Sequence, residues 1–267
     1  MLRDKQADHQ KTALITGASS GIGLEFARLF ARHGHNLVLV ARDQARLNEI
    51  ARELETKDKI AVKIIAKDLS NQSAPAEIHQ QLCSESVTID VLVNCAGFGT
   101  SGLFSDTDLA SQLNMIQVNV AAVTHLTHLF LKDMLSRGEG KILNVASTAA
   151  FQPGPLMAVY YATKAYVLSF SEAIAEEVRK SGITVTALCP GPTRTAFQVK
   201  AKMERTRAFT MLNPLPAETV AKLGFEGLMA HKRLVIPGSM SRVVVFAERL
   251  IPRQWITKAA RWINEQV

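Results

Sequence analysis

The chain has 267 residues, of which 47% are hydrophobic and 21% charged, a balance typical of one large globular domain with a sizeable core. Its 15 glycines and 9 prolines exclude collagen-like and low-complexity classes. The net charge is +7, but the cations are scattered among acidic residues, so we interpret them as a solvated surface and expect no nucleic-acid partner.

The chain begins with a polar stretch, Met1 to Lys11, which has no apolar core of signal-peptide length. No apolar run approaches the ~18 residues that span a bilayer, so we expect a cytoplasmic protein. Cys83, Cys95 and Cys189 form no CxxC motif and no Cys/His cluster. This pattern fits a reducing compartment and predicts neither a metal site nor a disulfide.

Strand-length apolar runs recur along the chain, and most are continuously rich in Val, Ile and Leu, which is typical of parallel strands covered by helices on both faces. The predicted strands are Thr12–Thr16, Leu37–Ala41, Ile60–Ala66, Ile89–Asn94, Lys141–Ser147, Ile183–Cys189 and Arg233–Pro237. The predicted helices between them are 21–33, 43–56, 73–85, 109–136, 156–180 and 216–231. The alternation predicts an α/β fold, a Rossmann-type doubly wound parallel sheet of about seven strands with helices on both faces.

Two regions break this alternation. Residues 192–216 are long for a βα connection, and such lengths are typical of binding loops. Residues 240–267 form a tail that is helical in character but interrupted by Pro252. Because no linker or shift of composition separates these regions from the rest, we expect one domain over residues 1–267.

A glycine-rich loop follows the first strand and opens the first helix. Its GxxxGxG spacing can supply the close backbone approach and free N–H groups that a dinucleotide phosphate needs; the alternative is a plain tight turn. The predicted cofactor contacts in this loop are Gly17, Ser19, Ser20, Gly21, Ile22 and Gly23.

The end of the second strand indicates which dinucleotide is bound. NAD sites usually place a carboxylate there, whereas this chain has Ala41 followed by Arg42. A guanidinium can hold a 2′-phosphate through paired charged hydrogen bonds, so we predict NADP(H), with Ser19 and Ser20 near the same phosphate. The alternative is that Arg42 is a solvated residue near a helix cap.

After the third strand come Asp68 and Leu69, which we predict to lie over the adenine, with Asp68 accepting a hydrogen bond from the adenine amine. Asp68 could also be the N-cap of the next helix, and the two roles are compatible.

Tyr160 and Lys164 are spaced i and i+4 on a predicted helix, so they share one face. A free tyrosine has a pKa of ~10, and a neighbouring ammonium is expected to lower that pKa toward the range useful in general acid–base catalysis. Ser147 closes the fifth predicted strand, at the sheet edge where ligands bind in such folds, and can donate to a substrate carbonyl. A strand-end serine is otherwise most often a cap.

From Lys11 to about Pro237 the chain resembles the short-chain dehydrogenase/reductase family. The order and spacing agree, including the 13-residue step from Ser147 to Tyr160. The matching residues are Thr16–Gly23, Asn94-Cys95-Ala96-Gly97, Asn119, Ser147, Tyr160, Lys164 and Pro190-Gly191-Pro192-Thr193-Arg194-Thr195.

The resemblance implies four catalytic residues. Tyr160 would protonate a carbonyl oxygen that Ser147 orients, and Lys164 would bind the nicotinamide ribose and tune Tyr160. Asn119 would hold a helix distortion and a water that relays protons to Lys164. The remaining implied cofactor contacts are Asn94, Ala96, Gly97, Pro190, Gly191, Thr193 and Thr195. The family usually has a second Asn at Cys95 and often a second Ser at Ala146, and we expect both departures to cost little.

The predicted activity is NADP(H)-dependent reduction of an apolar ketone or aldehyde, or oxidation of the alcohol. Alternatives are a 3-oxoacyl thioester reductase and a non-catalytic cofactor-binding regulator. The predicted apolar lining, which could instead be core, is Phe98, Phe104, Phe151, Met157, Phe197, Met203, Phe209, Met211 and Leu212.

Basic residues share the substrate loop and could meet a carrier phosphate, although we favour a solvated face: Lys200, Lys202, Arg205 and Arg207. For the tail we favour packing over the cleft or against a subunit, in a homodimer or homotetramer, over contact with a membrane surface.

Overall fold

The computed structural model describes residues 10–201, 206–207 and 214–265. Seven parallel strands form one sheet in the order β3-β2-β1-β4-β5-β6-β9. Their bounds are β1 Thr12–Thr16, β2 Asn36–Ala41, β3 Val62–Ala66, β4 Val91–Asn94, β5 Gly140–Val145, β6 Ile183–Leu188 and β9 Leu234–Val235. This order confirms the predicted doubly wound sheet, and its switch point lies between β1 and β4.

Helices cover both faces of the sheet. One face carries α1 (Gly21–Arg32), α2 (Gln44–Asp58) and α8 (Ala217–Met229), and the other carries α3 (Ala74–Ser84), α5 (Val123–Arg137) and α6 (Ala158–Glu177). Successive strand residues serve opposite faces: Ile15 packs with the α1 side and Leu14 with the α3 side. Burial on both faces explains why these strands are continuously apolar.

The predicted helix over 109–136 is not continuous. It begins as α4 (Leu109–Ile116), passes through a π-helical segment, Gln117–Ala122, and continues as α5. Single-turn π segments are rare and frequently mark functional sites. This one contains Asn119, where the family resemblance implied a distortion.

The base of the long loop is closed by a two-stranded ladder. Strand β7 (Thr193–Arg194) pairs in parallel with β8 (Leu215–Pro216), and the short helix α7 (Phe197–Lys200) lies between them in sequence. The ladder therefore fixes both ends of the predicted substrate loop beside the carboxyl end of β6.

The tail forms two helices, α9 (Ser239–Glu248) and α10 (Arg253–Asn264), and Pro252 is the N-cap of the second. The predicted interruption at Pro252 is therefore confirmed. No helix in the described part of the chain combines the length and the apolar character that crossing a bilayer requires.

Glu248, at the end of α9, makes stability depend on pH. Burial raises the pKa of its carboxyl from 4.5 to about 7, and among the described residues its Oε2 has no hydrogen-bond partner. Since the folded state holds this proton more tightly than the unfolded state, the contribution is full below pH 4.5 and is lost as the pH rises to about 7. We expect Glu248→Gln to raise the melting temperature at alkaline pH and to flatten its fall across this window. The melting temperatures of the wild type and of the exposed Glu177→Gln control should fall in parallel as the pH rises. If the melting temperature of Glu248→Gln follows the same pH dependence, the raised pKa of Glu248 is not the cause.

Candidate active site

The predicted site residues follow strands that end at one edge of the sheet. The glycine loop follows β1, Arg42 follows β2, Asp68 follows β3, Asn94–Gly97 closes β4, and Ser147 follows β5. Residues 190–195 follow β6. In parallel sheets this edge is where ligands bind.

Close backbone packing in the glycine loop leaves no room for side chains. Gly17 has a φ of +69°, and a Cβ there would lie 2.9 Å from Ala96 Cα. A Cβ on Gly23 would lie 2.3 Å from the Gly17 carbonyl oxygen. Gly17 N also donates to Val40 O at 2.9 Å, which holds the loop against the end of β2.

The N-terminus of α1 suits a phosphate. The N-cap Ser20 makes no side-chain capping hydrogen bond, and the first turn holds no acidic residue, so first-turn N–H groups and the positive end of the helix dipole face the cleft. A Cβ on Gly21 would lie 3.1 Å from Thr195 Cγ2, so the loop after β6 lies directly opposite. This backbone arrangement fits a dinucleotide pyrophosphate.

Arg42 is well placed for the adenosine end of a cofactor, because its side chain is 73% exposed and lies 3.8 Å from Asp68. The adjacent carboxylate of Asp43 caps α2 by accepting from Arg46 N at 3.0 Å. Among the described residues, no acidic side chain therefore occupies the end of β2 itself.

The structure limits the roles that Asp68 and Leu69 could have in the adenine region. Asp68 is not the N-cap of α3, which is Ser73; its Oδ1 instead accepts from Ser70 N at 2.9 Å and shapes the turn after β3. Leu69 is 6% exposed and packs in the core beneath α3, so its side chain cannot serve as a wall over the adenine and its main chain alone can face the cleft.

The path of the chain after β4 is held by one hydroxyl. Thr16 Oγ1 accepts from both Cys95 N and Ala96 N at 3.0 Å. Because these bonds involve main-chain groups, Cys95 serves where the family usually has Asn. Asn94 is buried and donates to Asn144 Oδ1 and Thr127 Oγ1, bonds that fit its predicted role in bracing the central sheet.

Asn119 joins the loop after β4 to α6. Its Oδ1 accepts from Phe98 N at 3.1 Å, and its Nδ2 donates to Phe98 O at 2.9 Å and to Thr163 Oγ1 at 3.1 Å. A Cβ on Gly97 would meet both Asn119 Oδ1 and Lys164 Nζ, at 3.0 Å and 3.6 Å. The structure therefore brings Asn119, Gly97 and Lys164 together.

Tyr160 and Lys164 lie on the same face of α6, as their spacing predicts. Lys164 is buried. Its Nζ donates to Val145 O at 2.8 Å and lies 5.8 Å from the centre of the Tyr160 ring. Ser147 lies two residues beyond β5, not at its end, because it turns out of the strand to cap the short helix Thr148–Phe151. Its side chain also hydrogen-bonds with Tyr160.

The protonation of this pair differs from our prediction. Burial raises the pKa of Tyr160 well above its ordinary value, and the hydrogen bond with Ser147 opposes this shift. Burial also lowers the pKa of Lys164 to about 8. The expectation that Lys164 lowers the pKa of Tyr160 is therefore wrong here, because loss of hydration outweighs an ammonium that points to Val145. At neutral pH Tyr160 is a neutral phenol, the form that donates a proton.

The loop after β6 closes the site opposite the glycines. Pro190 O accepts from Thr148 N at 2.9 Å and from Ser147 Oγ at 3.3 Å. Thr193 is buried, and its hydroxyl donates a hydrogen bond to Gly191 O. Thr195 Oγ1 accepts a hydrogen bond from Phe197 N at 3.2 Å.

Phe197 and Met157 form an apolar wall beside Tyr160. The rings of Phe197 and Tyr160 are 5.4 Å apart, and a Cβ on Gly99 would touch Phe197, Tyr160 and Met157 at once. Phe98 and Phe151 are partly buried against core clusters, which favours the alternative that they are core residues. Phe104 is exposed at the rim of a small pocket. The remaining predicted loop residues lie outside the described part: Met203, Phe209, Met211, Leu212, Lys202, Arg205 and the side chain of Lys200.

Four contributors were missed at the sequence level: the Thr16 hydroxyl, the Val145 carbonyl, Thr163 and Gly99. Gly99 could have been found because it lies two residues after the matched Asn94–Gly97 motif. The other three contribute through contacts between residues that are distant in sequence. The sequence also hid a cluster of His79 and Cys83 on α3 with Asp133 on α5, whose side chains could together hold a metal ion. His79 Nε2 and Asp133 Oδ2 are already hydrogen-bonded at 2.8 Å.

Comparison with known proteins agrees with this geometry. The family model described as short chain dehydrogenase matches residues 11–206. The chain is 36% identical over 260 residues to 17-beta-hydroxysteroid dehydrogenase type 3 of Mus musculus, covering 96% of this chain and 84% of that protein. It is 33% identical over 253 residues to very-long-chain 3-oxoacyl-CoA reductase-B of Danio rerio, covering 93% and 78%.

Solved structures show the same likeness. A short-chain dehydrogenase from Sphingobium yanoikuyae in complex with NADPH superposes with a TM-score of 0.81 at 33% identity, covering 90% of this chain and 93% of that one. The bulky-bulky ketone specific alcohol dehydrogenase from Comamonas testosteroni superposes with a TM-score of 0.77 at 32% identity, covering 90% of this chain and 92% of that one. The chain therefore belongs to the short-chain dehydrogenase family and is an oxidoreductase of the kind that uses a nicotinamide cofactor.

Proposed function

We propose that this enzyme reduces the carbonyl of an apolar ketone or aldehyde to an alcohol with NADPH, and catalyses the reverse oxidation. The observation that carries the proposal is the assembly of Ser147, Tyr160 and Lys164 beside a glycine cradle with no room for side chains. A non-catalytic regulator would have no need of a buried, uncompensated lysine beside a buried tyrosine, so we set that alternative aside.

The residues divide the work of proton transfer. The neutral Tyr160 phenol donates its proton to the carbonyl oxygen, and Ser147, which hydrogen-bonds with Tyr160, orients that oxygen. When bound, the reduced nicotinamide supplies the hydride that the carbonyl carbon accepts.

Lys164 and Asn119 stabilise the phenolate that Tyr160 becomes. The Lys164 ammonium, with a pKa of about 8, remains charged at neutral pH and is held in place by Val145 O. The group Asn119, Gly97 and Lys164 offers polar atoms within reach of a bridging water, which would return a proton from solvent.

The residues that follow β2 favour binding of NADPH over NADH. Arg42 is exposed and pairs only at 3.8 Å with Asp68, so its guanidinium is accessible to a 2′-phosphate, while Asp43 is engaged in capping α2. The similar protein from Sphingobium yanoikuyae binds NADPH, which supports the same choice here.

An apolar substrate is favoured by the wall of Phe197 and Met157 against Tyr160. The similar proteins are named for hydroxysteroid, 3-oxoacyl-CoA and bulky ketone substrates. A 3-oxoacyl thioester reductase is the second candidate, supported by the likeness to the Danio rerio reductase. In this chain, however, Arg207 is occupied by Glu265 and Trp262 and is not free to meet a carrier phosphate.

A substrate panel read by NADPH absorbance tests the proposal. We expect turnover of bulky apolar ketones, slower turnover of small polar ones, and loss of the reduction rate as the pH rises past about 8 and Lys164 loses its proton. Turnover limited to 3-oxoacyl-CoA would favour the second candidate, and no NADPH oxidation with any carbonyl would refute both.

A further inference from the structure

The tail, residues 239–265, presents an unusual amount of apolar surface. It supplies eight of the fifteen large hydrophobic side chains that are exposed in the described residues. On α9 they form one stripe, with Met240 67%, Val243 63% and Phe246 64% exposed. The exposed side chains continue through the turn and along α10 as Leu250, Ile251, Trp255 and Trp262.

This exposure does not come from helices that fail to dock. Val245 of α9 and Ile256 and Ala260 of α10 are buried. Asn264 is also buried: it accepts from the Tyr161 hydroxyl at 3.1 Å and donates to Pro155 O at 3.0 Å. The tail is thus anchored by its inner side, and its outer side is a second apolar face.

Exposed basic residues lie on the same segment as that outer face. Five exposed cations stand against two acidic residues in the tail: Arg242, Arg249, Arg253, Lys258 and Arg261. Of the acids, Glu248 is partly buried with a raised pKa, and Glu265 is paired with Arg207 and Arg261. Each exposed Trp also has a cation over its ring, Lys258 at 5.5 Å from Trp255 and Arg207 at 4.7 Å from Trp262.

Charge decides between a second copy of the chain and a lipid surface. A symmetric dimer would place this face against itself and so bring cation against cation. An anionic bilayer surface attracts the same cations, and Trp with flanking Lys and Arg is the composition of interfacial segments. We propose that the tail docks the enzyme on an anionic phospholipid surface, with the apolar face at the acyl boundary and the cations among the headgroups.

Docking would place the cleft close to that surface. The inner side of the tail contacts Tyr161, the neighbour of Tyr160, and a Cβ on Gly191 would lie 2.8 Å from Ser241 Oγ. An apolar ketone dissolved in the bilayer would then be concentrated beside the site; this consequence, unlike the docking itself, rests on the proposed function.

Co-sedimentation of the full chain with vesicles tests the docking. We expect binding to phosphatidylcholine vesicles that contain phosphatidylserine, weak binding to phosphatidylcholine alone, and loss of binding as salt rises. The double variant Phe246→Ser/Trp255→Ser should bind about tenfold more weakly. Its matched control, Leu109→Ser/Leu113→Ser, removes two side chains of similar exposure from α4 and should bind as the wild type does.

Further measurements make the outcome decisive. Melting temperature shows whether the double variant is folded, and Arg249→Glu/Arg253→Glu provides a second test if it is not. Absence of wild-type binding to the anionic vesicles at low salt would overturn the proposal. So would an oligomer that the tail variants dissociate, seen by light scattering, because the face would then lie between copies. NADPH oxidation in the same samples separates failure of docking from failure of the proposed reaction.

Discussion

Tyr160→Phe is expected to lower the rate of carbonyl reduction by about 10²–10⁴-fold, the usual contribution of a positioned general acid. The phenol is the group that hydrogen-bonds with Ser147 on the cleft side of α6, and phenylalanine removes its oxygen alone. Packing of the ring on Phe197 and Met157 is kept, so cofactor binding should change by less than about twofold. Steady-state rates together with NADPH fluorescence titration measure both effects.

Tyr161→Phe is the matched control because it removes the same atom one residue further along. Its hydroxyl is bound to Asn264 of the tail and not to Ser147, so the variant should lose about 1 kcal/mol of stability and little activity. Near-normal turnover by Tyr160→Phe, or equal losses in the two variants, would remove Tyr160 from the mechanism.

Arg42→Ala is expected to weaken NADPH binding about tenfold while NADH binding stays within about twofold. A charged hydrogen bond to a phosphate contributes ~1.5–3 kcal/mol. We expect a loss of binding energy at the low end of this range because the Arg42 side chain is 73% exposed. Isothermal titration with the two cofactors gives the ratio directly.

The control for Arg42 is Arg46→Ala, which removes an exposed arginine one turn along α2 that is engaged with Glu49. It should affect the two cofactors alike and only slightly. If Arg42→Ala weakens NADPH and NADH equally, the 2′-phosphate is not bound by this side chain and the preference for NADP(H) has no support at the end of β2.

Much of the fold could be predicted because it depends on local patterns. Continuous apolar runs separated by helix-length segments predicted a doubly wound parallel sheet, and the i and i+4 spacing put Tyr160 and Lys164 on one face. Motif spacing likewise located Ser147 and Asn119, which the structure brings to the same edge of the sheet.

The rest depends on contacts that are distant in sequence. The π-helical segment is accompanied by Asn119 bonds to Phe98 and Thr163, 21 and 44 residues away. The Thr16 hydroxyl accepts hydrogen bonds from Cys95 N and Ala96 N only because the chain turns there, 79 residues further along the sequence. The Leu69 side chain faces the core because of how α3 packs. The pKa of Tyr160 rises because of burial, which the i+4 spacing does not reveal.

Transfer of a labelled hydride shows whether Tyr160 takes part in carbonyl reduction. The enzyme is incubated with a bulky apolar ketone and NADPH carrying deuterium on the transferable position of nicotinamide C4, and the alcohol is analysed by mass spectrometry. If Tyr160 and Ser147 serve carbonyl reduction, the alcohol from the wild type carries one deuterium on the carbinol carbon, and Tyr160→Phe forms almost none. Alcohol without the label, or equal labelled product from both proteins, would contradict the account.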